Sequence, residues 1–166
     1  MIARLYNILL LILPWLTLFK TDKQTFKRYL PVLTFSSLAI ALLSELARSF
    51  KWWRVRKPIV PRLSSDISFI FGGFFIANFW VFRLTYGKFI PYMLLNAVFD
   101  YMFAYPLTTL AEKLRVYKMG TLSRFNLFLM SMGMAVVNYL YQMFIDDALK
   151  PKRNSSKEIL NQQKKF

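Results

Sequence analysis

Three asparagines and one aspartate are the residues most able to do chemistry here: Asn78, Asn96, Asp100 and Asn138. Each sits inside a long apolar run. Asn96 and Asp100 are four residues apart, so one helical turn stacks them on one face. A carboxyl in such surroundings with no cation within four residues favours its neutral acid. Two roles are open to it: donating a hydrogen bond to an Asn carbonyl, or relaying a proton or holding an ion. A second candidate constellation is Glu45 with Arg48, three apart and able to pair on one helix.

Other chemistry is excluded by absence. The chain has no Cys and no His, which removes thiolate nucleophiles, imidazole bases, disulfides and the usual zinc sites. Aspartyl catalysis needs two carboxyls sharing a site, and the interior runs offer only Asp100. A Ser–Lys dyad needs a Lys within an apolar run, and every Lys lies in a connector or the tail. A lipid-modifying enzyme would need two convergent carboxyls near the chain's polar boundaries, and only Glu45 beside Arg48 hints at one. No catalytic constellation emerges, so the chain reads as a non-enzyme without metal or cofactor.

The elements that must position these residues are apolar runs. Of 166 residues 56% are hydrophobic, above the 45–50% usual for soluble domains, and they are blocked rather than dispersed. Phe89–Leu110 carries one formal charge, Asp100, and as a helix would reach about 33 Å, slightly more than a bilayer's hydrocarbon core. With four further runs, predicted helices lie at about 5–19, 29–50, 66–83, 89–110 and 125–145. The fold class expected is all-α, an integral membrane bundle over 1–148 with a basic tail over 149–166. The first run is short and holds Pro14; it either spans or lies tilted at the interface. No small-x-small cleavage site follows it. Pro31 is expected in the first turn of the second run.

Within the runs, polar and small residues recur at helical spacing. Thr34, Ser37, Ala41, Ser44, Glu45 and Arg48 form one stripe, Tyr92, Asn96, Asp100, Ala104 and Thr108 a second, and Ser131, Ala135, Asn138 and Gln142 a third. Such stripes mark faces that pack on neighbouring helices. Runs four and five are antiparallel, which puts Asn96 and Asn138 at similar depth, with Asn78 within about two turns. One interior polar cluster of Asn78, Asn96, Asp100 and Asn138 is therefore expected. Gly73 and Ala77 have the small-xxx-small spacing of close helix contact.

The connectors carry the net charge of +15. Basic residues between apolar runs suit anionic lipid head groups rather than nucleic acid. Trp52 and Trp53, in the most basic connector, are expected as interface anchors. Lys and Arg number 11 on one side of the bundle and 12 on the other, which leaves orientation undecided; six in the C-terminal tail argue for a cytoplasmic tail.

The stretch Pro14–Phe35, PWLTLFKTDKQTFKRYLPVLTF, resembles small multi-pass membrane proteins of unknown function from spore-forming Gram-positive bacteria. A Trp closes the apolar run, a basic-aromatic connector follows, and Tyr-x-Pro opens the next helix. The resemblance implies a protein of the bacterial cell membrane and supplies no catalytic residues. Two functions remain in view. One is a structural or accessory component that associates with itself or a larger membrane complex. The other is a small proton- or ion-coupled transporter or channel subunit using Asp100.

Overall fold

The computed structural model describes residues 2–56 and 67–149. The tail over 150–166 and the first residue of the helix expected at 66–83 lie outside the described residues. The chain is mostly helical. In order, α1 is Ile2–Ile12 and continues as a 3-10 segment, Leu13–Lys20; α2 is Lys23–Ser49; β1 is Trp53–Val55. A π turn, Phe69–Phe74, leads into α3, Phe75–Thr85; α4 is Phe89–Met102, followed by a second π turn, Phe103–Leu107, and α5, Thr108–Lys113. Strand β2 is Tyr117–Met119 and α6 is Arg124–Ala148. Two helices, α2 with 27 residues and α6 with 25, are long and apolar enough to cross a membrane; 5–19 and 69–85 are shorter apolar helical stretches.

The helices alternate in direction. The first segment runs alongside the third: Trp15 Nε1 donates to Phe71 O at 2.8 Å, Trp80 Nε1 to Thr17 Oγ1 at 2.8 Å, and an Arg83 guanidinium nitrogen to Thr21 Oγ1 at 2.6 Å. Pairs that rise together in number mean parallel segments. Eleven α residues and eight 3-10 residues give this first segment a length of about 32 Å, because the 3-10 form rises about 2.0 Å per residue against about 1.5 Å. Pro14 falls at the start of the 3-10 segment, where a missing N–H is least costly. Gly72 lets the first segment approach: a Cβ there would overlap the Leu10 carbonyl oxygen. Helices α3 and α4 form an antiparallel hairpin through a turn in which Gly87 takes φ +90°.

Two expectations about α2 are corrected. The helix starts at Lys23, capped by Asp22 Oδ1 accepting from Thr25 N at 2.7 Å, so Pro31 is interior. Its ring removes the N–H that would meet the Lys27 carbonyl. The buried stripe is also rotated. Val32, Leu33, Ser36, Ser37, Ser44 and Ala47 face inward, whereas Thr34, Glu45 and Arg48 are exposed. Burial of Val32 and Leu33 removes more apolar surface than burial of Thr34 would, and it sets the rotation. The stripe on α4 and α5 keeps to one side more faithfully than steps of four would allow in an unbroken α-helix. Tyr92, Asn96, Ala104 and Thr108 are all buried, the wider π turn taking up the drift.

A short antiparallel ribbon departs from the all-α expectation. Strands β1 and β2 pair Trp53 with Met119, Arg54 with Lys118 and Val55 with Tyr117. Helices α2 and α5 launch these strands in the same way. Trp52 N donates to Ala47 O and Lys51 N to Arg48 O; Val116 N donates to Ala111 O and Arg115 N to Glu112 O. Lys51 and Arg115 take left-handed φ of 57° and 56°. This is a Schellman ending with a basic residue where glycine is usual.

Candidate functional site: a polar chamber under the ribbon

The bundle is filled unequally along its length. Toward the Arg28 end it is a solid aromatic plug. Tyr29 of α2 stacks on Phe82 of α3 at 5.6 Å, Phe82 meets Tyr92 of α4 at 5.1 Å, and Tyr92 meets Tyr139 of α6 at 4.8 Å. Tyr92 Oη donates to the Ala135 carbonyl at 2.9 Å in a fully buried bond that closes this floor. Toward the ribbon the bundle is hollow. A chamber of about 330 Å³ lies among all five helical segments, with Trp53 of β1 and Tyr117 of β2 at its ribbon end.

Asn78, Asn96, Asp100 and Asn138 all line this chamber. The structure brings the four together around one space, but they do not bond to one another. Asn78 Nδ2 donates to Phe74 O at 3.0 Å and Asn96 Nδ2 to Tyr92 O at 2.9 Å, each one turn back on its own helix. Asn138 Nδ2 donates to Ser36 Oγ at 2.9 Å, tying α6 to α2. The expected network among the four is therefore corrected to a shared lining. For Asn78 and Asn96 the partner is a carbonyl one turn back, and for Asn138 it is a hydroxyl on α2. Asp100 Oδ2 is buried and, among the described residues, has no hydrogen-bond partner; neither has Asn138 Oδ1. Among the described residues no Lys or Arg lines the chamber, and Asp100 is its one carboxyl.

Both π turns face this space. Phe69 and Phe74 belong to the first and Phe103 and Leu107 to the second. The Phe69 and Phe103 rings stack across the gap at 4.5 Å and 15°. Thr108 Oγ1 donates to Phe103 O at 2.7 Å, serving the widened turn. Single π turns recur where proteins bind ligands, because they re-aim side chains out of the α-helical register.

The other candidates fall outside the chamber or only touch it. Glu45 and Arg48 sit exposed on α2, and among the described residues no ion pair joins the two to each other. An exposed pair gains too little to fix two long side chains. Trp52 packs on Phe50 at 5.3 Å, as a boundary residue would, whereas Trp53 turns to the chamber. The two rings remain neighbours, with centroids 6.2 Å apart.

Two charged knots close the ends. At one, Arg28 pairs with Asp146 at 2.6 Å, and Gln142, fully buried, donates to Asp146 Oδ1 at 2.9 Å. The Arg28 guanidinium also lies 5.3 Å from the Tyr86 ring centre. Partial burial pushes the Asp146 carboxyl up, but hydrogen bonds from Arg28, Tyr86 and Gln142 outweigh it and hold it below the usual range. Burial, then the neighbouring Asp146 carboxylate, pushes the Tyr86 hydroxyl up. At the ribbon end, Arg124 pairs with Glu112 at 2.9 Å and donates to Thr109 Oγ1 at 2.6 Å, while Glu112 Oε1 accepts from Met119 N at 3.0 Å. The first knot joins residues 118 apart in sequence, the second residues only 7 to 15 apart.

Among the described residues no group of acidic side chains is placed to hold a metal ion. No protein-family model, curated protein or solved structure matches this chain.

Proposed function

We propose that this protein is an integral membrane protein of the bacterial cell membrane. In this reading it crosses the bilayer five times, and its chamber is the working site of a small proton- or ion-coupled carrier or channel subunit with Asp100 as the titrating group. The chamber carries the reading. It places an unpartnered carboxyl oxygen and three asparagines around one space inside the helices. A carboxyl at such depth costs about 3 kcal/mol on insertion scales, so its retention argues for use.

Several features support the membrane setting. Large apolar side chains face outward along the rods: Leu38, Leu42 and Leu46 on α2, Ile90, Leu94 and Val98 on α4, and Leu140, Met143 and Phe144 on α6. Water-soluble proteins rarely expose such continuous apolar surface. The ribbon joins the second and fourth connectors, and the Arg28–Asp146 pair joins the first connector to the far end of α6. Five alternating crossings require both sets of neighbours. In this reading the basic connectors meet anionic head groups, the C-terminal tail is cytoplasmic, and the chain is a relative of the spore-former proteins it resembles.

A structural or accessory role, with partnering to itself or a larger complex, is the second reading. The aromatic plug favours it, since half of the bundle is packed solid. Purified protein in liposomes containing anionic lipid, under an imposed pH gradient, separates the two. The carrier reading expects proton flux that falls at least tenfold in Asp100→Asn, with the variant still monodisperse in detergent. No flux from the wild type would refute it and leave the accessory role.

A further inference from the structure

We infer that the chamber accepts a small protonated hydrophobic amine. The inference rests on reading the chamber as the protein's working site, and it names the ligand's chemistry.

The polar equipment of the chamber is one-sided. Ser44 Oγ donates to Ile40 O at 2.9 Å, and Thr108, Asn78 and Asn96 likewise donate to carbonyls of their own helical segments. Asn138 donates to Ser36. Five side chains thus commit hydrogens to protein acceptors and present lone pairs to the space. Among the described residues nothing donates to Asn138 Oδ1 or to Asp100 Oδ2, and both are buried. Buried acceptors without donors are costly, and the complement that relieves them is a donor-bearing group.

Charge narrows the choice. Among the described residues the lining has one carboxyl and no Lys or Arg, so an anion would meet a like charge and no cation. A neutral alcohol brings a single donor. An ammonium brings several N–H donors and the charge opposite to a carboxylate. The walls add to this preference. Phe69, Phe74, Phe99, Phe103 and Trp53 surround the polar floor, and aromatic faces attract cations as well as apolar bodies. The volume of about 330 Å³ is at the small end for ligand sites, which fits one ring or a short alkyl chain.

The test uses the full chain in detergent micelles and four probes sharing one ring: phenethylammonium, 2-phenylethanol, 3-phenylpropionate and phenethyltrimethylammonium. Binding is read by calorimetry. The expected result is saturable binding of phenethylammonium, at least tenfold tighter than the other three. Equal binding of the alcohol, or tighter binding of the carboxylate, overturns the cation. Equal binding of the trimethyl compound overturns the requirement for donors. Asp100→Asn should weaken phenethylammonium about thirtyfold or more, and Asp100→Glu should retain most of the affinity. Unchanged affinity in a folded Asp100→Asn protein overturns the assignment. The four-probe comparison on the wild type decides the matter even where that variant does not fold. A wild type that carries protons but binds no amine overturns the ligand class alone. One that binds the amine without flux overturns the carrier reading and supports the ligand class.

Discussion

Removing the Asp146 side chain should cost more than removing its charge, and the difference can be worked from the geometry. The Arg28 side chain is 53% exposed and that of Asp146 22%, so solvent screening limits their 2.6 Å pair to about 0.5–1 kcal/mol. Gln142 is different. It is fully buried, and its amide donates to Asp146 Oδ1 at 2.9 Å, with only a 3.4 Å contact to Arg28 O as an alternative. Leaving such a donor unmet costs about 1–3 kcal/mol. Asp146→Ala should therefore destabilise by about 2–3 kcal/mol. Asp146→Asn keeps an oxygen for Gln142 and should lose only the pair, about 0.5–1 kcal/mol. Reversible unfolding in mixed micelles with rising dodecyl sulfate, followed by circular dichroism at pH 7, measures both. Equal losses in the two variants would refute the reasoning, since Gln142 would then not depend on the carboxyl oxygen. The same contacts set a pH signature. The folded carboxyl sits below its ordinary value near 3.8, so its contribution is complete above that pH and is lost as pH falls through the folded value. The gap between wild type and Asp146→Asn should therefore close in acid.

Three further substitutions test packing and the ribbon. Gly72→Ala should destabilise by about 1–3 kcal/mol or more, because the added Cβ meets the Leu10 backbone carbonyl, whereas Gly73→Ala meets only the end of the Leu10 side chain at 3.2 Å and should be nearly tolerated; thermal unfolding of the two variants makes the comparison, and equal losses would contradict it. Glu112→Ala removes both the Arg124 partner and the acceptor for Met119 N, so hydrogen exchange at the Met119 amide should quicken at least tenfold while that at Asn138 is unchanged.

The helical segments were legible because each is a long apolar run bounded by charge, a signal that survives without any knowledge of neighbours. The positions of Asn78, Asn96, Asp100 and Asn138 within those runs could likewise be read by counting residues from the run ends. What counting cannot supply is direction within the chamber. Each Asn met the nearest acceptor, and for Asn78 and Asn96 that was a backbone carbonyl one turn back. The ribbon was illegible for a different reason. Glycine is the usual sign of a left-handed helix ending, and here Lys51 and Arg115 adopt that conformation. Gly120 lies beyond β2, where its N–H donates to Trp52 O at 2.8 Å. The rotation of α2 was missed because polar spacing was weighed above the bulk of Val32 and Leu33, which are almost completely buried.

The stretched opening segment carries a consequence for the order of assembly. Its eight 3-10 residues hold themselves less well than an α-helix would, and its indole and threonine contacts reach partners 56 to 63 positions further along the chain. A nascent chain has no such partners until Phe71 and Trp80 have been synthesised. This segment is therefore synthesised well before it can find its seat, and α2, capped by its own Asp22, stands ready before it.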